Sequence, residues 1–575
     1  MGKCQSQPQG QKHRGSVHRQ LHPMWVVSVK DVLQMPKLQC HQDLLTAGML
    51  KSWEPGLFTI FVSHQWLGFA HPDANGAQFR VLKGVLGKLI SGQLKLELDM
   101  TSQFFGHQKS LTAWELEDAY LWFDWFSVPQ ACHHSAGPDV SESSKLCIRS
   151  IPFYVDACQM FVALVPNLLH NDTERHCNYF TWLSRGWCRA EMWCKLLSEK
   201  SDIPIVVVTA SDQAEFAMPM HWLNCPVHAG DFTVEADREE VCQLIRVALD
   251  SKLLHLESKC PGDDFRFYAA RYEGLAGLPP KLRTPEDLAP DFRFPSLPAA
   301  LKKTHGLGPL HCAVLAQDVE LLETLLEKGA KFSKMPEMVE LDILPDCTPL
   351  HLAVMHSGGA RGAATLRALL KSGVEVNLSN RLGHPVLGLC STAEAVDMLI
   401  EARAEVNRLR PPTMVSALTL ACLRLASPEV IGRLLERKAD ANLVQGGIGL
   451  APLHSLAING HSNPHCLAVA GLLLDAAADP NQPCRAGLLF RAVELTCRGL
   501  ARLKEVSGLV RVLSEGSTTP LGYAALFGAE PLVDFLIEAG ADPTLKNNRG
   551  HTPAQLARHA EVCTTISQRT RAEMD

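Results

Sequence analysis

Thr348-Pro349-Leu350-His351-Leu352-Ala353 decides how the second half of this chain is read. A threonine before a proline marks a helix start. The hydroxyl is suited to capping, and proline takes the first helical position, where no amide hydrogen is needed. Partial copies stand at Pro309-Leu310-His311-Cys312-Ala313, Pro452-Leu453-His454-Ser455-Leu456-Ala457, Thr519-Pro520-Leu521 and Thr552-Pro553-Ala554. From proline to proline the offsets are 40, 103, 68 and 33. Those are about one, three, two and one periods of ~33 residues. Weaker copies fill the gaps at His384-Pro385-Val386 and Ala417-Leu418-Thr419-Leu420-Ala421, and a barely visible one falls around 486–492.

The segments that follow each copy agree with it. Leu325-Leu326-Glu327-Lys328-Gly329-Ala330, Leu369-Leu370-Lys371-Ser372-Gly373, Leu434-Leu435-Glu436-Arg437-Lys438-Ala439-Asp440 and Leu536-Ile537-Glu538-Ala539-Gly540-Ala541-Asp542 each read as the end of a second helix. Paired leucines bury against the neighbouring repeat, glycine supplies a left-handed stop, and Asp begins the next turn. Five copies at multiples of one period identify the pattern as the ankyrin repeat. The resemblance implies an all-α solenoid over residues 305–565, of about six to eight repeats with degenerate central ones, whose concave face binds a protein partner. The copy from 550 to about 560 reads as a cap, and 566–575 as a tail.

The chain has 575 residues, too many for one core, and it is 46% apolar and 20% charged. A net charge of −6 gives no case for a nucleic-acid binder. The 19 cysteines are dispersed without a regular framework, which suits a reduced cytoplasmic setting. No apolar run reaches the ~18–20 residues of a spanning helix. Residues 1–23 are Gln-rich and basic and read as a disordered leader. Gly2 followed by Ser6 fits an acylation pattern. Cys4 and the basic residues Lys3, Lys12, Arg14 and Arg19 would supply the second signal that peripheral membrane attachment needs. The prolines at 279, 280, 285, 290, 295 and 298 mark 256–304 as an interdomain linker.

Residues 24–255 have a different texture. The runs 57–62, 120–125, 160–165 and 203–209 are short and apolar on both faces, as in a parallel α/β sheet. Helical spacing is present at 79–90, 187–197 and 237–254. In such sheets ligands bind at the carboxyl ends of strands, where Ser63-His64-Gln65-Trp66 and Asp124 fall. No phosphate-binding glycine motif accompanies them. Cys132, His133, His134 and Cys147 lack metal-ligand spacing, so no metal is expected. Ser63, His64 and Asp124 invite a hydrolase triad, but no nucleophile elbow supports one.

The order of these pieces resembles the Toll/interleukin receptor (TIR) domain over roughly residues 55–210. The matching segments are Phe58-Thr59-Ile60-Phe61-Val62-Ser63-His64, Trp122-Phe123-Asp124, Ser150-Ile151-Pro152-Phe153-Tyr154-Val155 and Phe161-Val162-Ala163-Leu164-Val165. Trp187-Cys188-Arg189-Ala190-Glu191 fits the family's W-C-x-x-E motif. The segment Phe126-Ser127-Val128-Pro129-Gln130 lacks the family's glycine-bearing loop, and an insertion precedes Ile148. The resemblance implies assembly by self-association or, in catalytic members, cleavage of NAD with Glu191 as the catalytic residue and Ser63, Asp124 and Trp187 at the NAD site. One carboxylate suffices for that chemistry, because nicotinamide leaves a cationic ring as a neutral one and needs no general acid. The expectation is an interaction scaffold or signalling adaptor with a TIR-like regulatory domain, the alternative being an NAD glycohydrolase recruited or restrained by its repeats. No cofactor is required for the first; NAD is the substrate of the second.

Overall fold

In the computed structural model, the described residues are 20–98, 113–130, 138–199, 205–216, 219–259, 262–338, 341, 343–447, 449–460, 463, 465–503, 508–557 and 560–574. Gly2, Cys4, Cys132, His133 and His134 lie outside them. The chain divides into two units. The first comprises Met1–Leu96, Ser110–Ala214 and Cys225–Cys260, and the second Glu97–Lys109, Glu215–Asn224 and Pro261–Asp575.

The four strands expected in the first unit are present at Thr59–His64, Tyr120–Phe123, Met160–Leu164 and Ile205–Ala210. Thr59–His64 pairs in parallel with Tyr120–Phe123 on one side and Met160–Leu164 on the other, and Ile205–Ala210 continues the sheet beyond Met160–Leu164. Ile60, Phe61 and Val62 are buried because both faces are covered. Phe61 stacks on Trp122 and Phe161 of its two neighbours. The sheet is mixed rather than purely parallel. Trp25–Ser28, absent from the sequence reading, pairs antiparallel with Tyr120–Phe123 and carries Lys51–Ser52 at its outer edge. A four-residue strand with two buried positions gives too short an alternation to announce itself.

The second unit is a stack of paired helices. First helices run Pro309–Leu315, Pro349–Met355, Val386–Leu389 (a 3-10 turn), Ala417–Leu423, Pro452–Ile458, Pro520–Phe527 and Pro553–Leu556. Their partners are Val319–Glu327, Gly359–Lys371, Ala393–Glu401, Pro428–Glu436, Cys466–Asp475, Glu530–Glu538 and Ala560–Met574. Each helix packs on its counterpart in the next pair, which makes seven repeats among the described residues. The expected tail 566–575 begins inside the last helix, where Ile566 is fully buried.

The histidines of the motif are buried completely at 311, 351 and 454. Each ring accepts, through Nδ1, the amide of the residue before its helix: Gly308 at 3.3 Å, Thr348 at 3.1 Å and Ala451 at 3.1 Å. Thr519 caps by the expected route, its hydroxyl accepting from the Gly522 amide at 3.3 Å, whereas the Thr348 hydroxyl lies 2.9 Å from the His351 ring. Asparagines tie successive repeats together. Asn407 accepts from the Asp440 amide, Asn442 from Asp479 and Asn481 from Asp542, at 2.9, 2.8 and 2.7 Å.

Two expectations change here. The steps along that ladder are 33, 37 and 61 residues, and Pro452–Ile458 packs directly on Pro520–Phe527. The faint copy around 486–492 is therefore not a repeat; the chain from 485 to 517 is an insertion carrying the helices Leu488–Leu503 and Gly508–Ser514. Of the stretch 256–304, expected as a linker, residues 256–258 end the helix Asp237–Ser258 of the first unit, and the part from 263 on is folded onto the first repeat. Asp263–Ala276 packs on Pro309–Leu315 and buries Phe265, Phe267 and Tyr268. Pro285 and Pro298 open short helical turns, the other setting in which proline is at home. Arg283 pairs with Glu273 at 2.7 Å and Asp291 at 2.8 Å, and its amide donates to Asp318 of the first repeat at 2.9 Å.

Candidate functional site

The chain leaves Thr59–His64 for Tyr120–Phe123 on one side and then crosses to Met160–Leu164 on the other, and His64 and Asp124 stand at the carboxyl ends of the first two strands. A cavity of about 470 Å³ opens there, within the first unit. Its lining includes Asp124, Trp187 and Glu191 together with His64, Trp66 and Arg185. Ser63 stands behind the wall, fully buried. All four residues expected at the site are thus brought together.

Glu191 comes from the second turn of Gly186–Leu196. This helix enters close to its neighbour. A Cβ on Gly186 would lie 2.0 Å from the Phe232 ring, so the position accepts only glycine. The Ser63 hydroxyl donates to Glu191 Oε2 at 2.5 Å and accepts from Trp182 Nε1 at 3.0 Å. Burial pushes the Glu191 carboxyl up to about 8; the Ser63 hydrogen bond and His64 oppose the rise, and the Asp124 charge adds to it. Near neutrality Glu191 therefore holds its proton for most of the time. A helix N-terminus would favour the anion, but desolvation wins here.

His64 is held from both sides. Gln78 donates its amide to Gln65 O at 2.8 Å, which leaves its oxygen facing His64 Nδ1 at 3.0 Å. Nε2 faces Asp124 Oδ1 at 2.8 Å. Both ring nitrogens meet acceptors, so the ring is assigned as imidazolium. Burial works against that charge, but the Asp124 carboxylate and the Gln78 bond outweigh it and raise the pKa. Asp124 is likewise penalised by burial yet held below the usual carboxylate range by His64, Trp66 Nε1 at 2.7 Å and the Trp125 amide at 2.6 Å. With both nitrogens engaged, His64 has none to offer Ser63, which closes the triad reading.

Trp187 lines the cavity and donates Nε1 to Asp237 at 3.0 Å. In place of a glycine-bearing loop after Asp124, the structure has the turn Asp124–Ser127, pinned by Gln130, whose amide donates to Val128 O at 2.7 Å. His64 and Trp66 stand where the strand end was expected to meet a ligand, whereas Gln78 and Trp182 carry no sequence signal for the site. His64 and Trp66 adjoin Ser63 in sequence, but Gln78 and Trp182 reach the site only through the packing of other helices. Among the described residues no group of acids, histidines and cysteines has the arrangement of a metal site.

Comparison with known proteins bears on the second unit. The ankyrin-repeat family matches residues 346–381 and 518–548. The nuclear factor NF-kappa-B p105 subunit of Gallus gallus is 28% identical over 267 residues, 43% of this chain and 22% of that protein. The B-cell lymphoma 3 protein homolog of Mus musculus is 29% identical over 225 residues, 37% of this chain and 49% of its own. The putative ankyrin repeat protein YahD of Escherichia coli is 26% identical over 200 residues, 34% of this chain and 82% of its own. The chain thus spans about a fifth and about half of the first two relatives. Among solved structures, the ankyrin repeat domain of Bcl-3 aligns over 45% of this chain and 97% of its own at 24% identity, with a TM-score of 0.31, too low to bear on repeat arrangement. Motif, helix pairing and family match agree: the helix pairs that begin at Pro309 form an ankyrin-repeat solenoid.

Proposed function

We propose that the protein is an interaction scaffold whose ankyrin stack holds a protein partner and whose first unit is a TIR-like assembly or regulatory domain. The observation that carries this reading is the stack of seven helix pairs among the described residues, its first pair covered by the Asp263–Ala276 helix. The long faces are the surface such an array offers. Arg381, in a turn between repeats, has 69% of its side chain exposed, and Glu337 is exposed as well. The test is affinity purification of the full chain from cells beside Arg381→Glu and Glu337→Lys. A stoichiometric protein lost from the variants, with thermal unfolding unchanged, supports the scaffold; a partner indifferent to both would place binding elsewhere.

A second reading rests on one specific observation, the convergence of Glu191, Asp124 and Trp187 on a single cavity with Ser63 behind it. That is the arrangement a TIR-type NAD hydrolase requires. The bond between ribose C1′ and the nicotinamide nitrogen would break with its electron pair passing to the ring. Water would add at C1′, releasing a proton to solvent, with the Glu191 carboxylate steadying the cationic ribose. Because that carboxylate forms only as pH approaches about 8, nicotinamide release should rise with pH toward that value. Incubation of the full chain with NAD, beside Glu191→Ala, tests it. Turnover unchanged by the substitution removes the role given to Glu191; none at high enzyme concentration removes the activity.

A further inference from the structure

The insertion at 485–517 departs from the second helices of the stack. In Val319–Glu327, Leu321, Leu322 and Leu325 are buried, and in Cys466–Asp475 Leu473 is buried although Leu467 is 42% exposed. In Leu488–Leu503 the burial is reversed: Glu494 and Cys497 are buried, while Leu495 is 65% exposed and Val493 and Leu500 are each 38% exposed. Ala492 and Gly499 are exposed too. At 100° per residue Ala492, Leu495 and Gly499 lie opposite Glu494 and Cys497, while Val493 and Leu500 flank Cys497 at about 40° and 60° and complete a broad exposed apolar arc.

The insertion also departs from the charge of the chain. It carries Arg485, Arg491, Arg498, Arg502, Lys504 and Arg511 against Glu494, Glu505 and Glu515, a balance of +3 in a protein of −6. Two of those acids already serve the fold. Glu494 pairs with Arg498, and Glu515 accepts from Asn547 at 2.6 Å, Arg549 at 2.5 Å and His551 at 3.1 Å. The base of the insertion is fixed as well. The Cys484 amide donates to Thr518 O at 3.0 Å, and Gly449, at φ +89°, lets the chain pass where a Cβ would lie 2.0 Å from the Arg485 carbonyl carbon. The apolar side is thus presented by a firmly held base and accompanied by surplus positive charge.

A second copy is a poor occupant, since two such surfaces would bring like charges together. At 16 residues the helix is too short to cross a bilayer, and no described helix is long and apolar enough to do so. An outward apolar side accompanied by arginines is the pattern of a helix that lies in a membrane interface. We propose that Leu488–Leu503 is a membrane-surface element that seats Val493, Leu495 and Leu500 at the headgroup boundary of an anionic bilayer.

The experiment is vesicle flotation of the full chain, purified from a bacterial host that does not acylate Gly2. One set of vesicles is phosphatidylcholine alone and the other contains about 30% phosphatidylserine, chosen for its negative surface potential. Expected are binding to the anionic vesicles, weakening as salt rises from ~0.1 to ~0.5 M, and about a tenfold loss for Leu495→Glu and again for Val493→Glu. Both positions are exposed, so thermal unfolding should not move. Three results overturn the proposal. They are no flotation with phosphatidylserine vesicles, flotation indifferent to both substitutions, and a dimer by light scattering that Leu495→Glu dissolves.

Discussion

The repeat stack and the first unit both bury titratable groups, but only the first unit sets an ion pair beside a neutralised one. In the stack, burial drives the histidines down, His311 to about 3 and His351 and His454 to about 4, so the rings are neutral and act as caps. In the cavity, burial drives Glu191 up to about 8 while His64 and Asp124 are held as a charged pair. Every ring in the first set closes a helix start. In the second set a carboxyl is kept poised between two states beside open space. Buried neutral groups alone accompany structure, and a shifted carboxyl beside an ion pair and open space accompanies a site.

The largest effect should come from breaking the first side of this comparison. His351→Ala leaves a cavity and frees the Thr348 amide, at a cost of about 3 kcal/mol. Urea unfolding followed by far-UV circular dichroism would measure it, and a loss below about 1 kcal/mol would show that the ring is not a structural cap. The wild-type stack should also weaken as pH falls from ~6.5 toward 4, because the unfolded histidines take up protons that the folded ones refuse. His351→Ala should make that fall shallower.

Glu191→Gln probes the other side with the opposite sign. A carboxyl raised from 4.5 to about 8 contributes fully below pH 4.5 and loses its contribution as pH climbs to 8. The variant should therefore be more stable than wild type at pH 8, by about 2 kcal/mol once partial solvent access is allowed for, and equal to it near pH 4.5. Nine of the 10 tryptophans fall in the first unit and Trp222 in the second, so tryptophan emission chiefly follows this change. Equal stability at both pH values would mean that Glu191 is ordinarily ionised.

The smallest effect sharpens the stack alone. Gly329, Gly373 and Gly540 take the left-handed conformation that ends a second helix, and Ala477 does so at φ +61° without being glycine. Ala477→Gly relieves a strained backbone and should stabilise by about 0.5–1 kcal/mol. A neutral or negative result would show that the left-handed bend is not what limits this repeat.

Much of the stack was legible because its information is local. Cap, proline, histidine, paired leucines and glycine all act within one helix pair, and five copies at one period repeat the message. The insertion was misread because helical spacing at 488–503 resembles a repeat unless burial is known. The folded cap was misread because Pro285 and Pro298 mark a helix start as readily as a linker. Of the site, Ser63, Asp124, Trp187 and Glu191 were accessible through strand ends and the W-C-x-x-E motif. Gln78 and Trp182 were not, since their roles arise 14 and 119 residues away from the partners they touch.

By itself, then, the sequence determined the solenoid and the strand runs of the sheet, because local capping and the spacing of apolar residues decide both. Only tertiary structure decided that burial pushes the Glu191 carboxyl up, that His64 lies between two acceptors, and that apolar side chains at 488–503 face outward. Each of those depends on which groups water can reach, and no run of residues specifies that before the chain has folded.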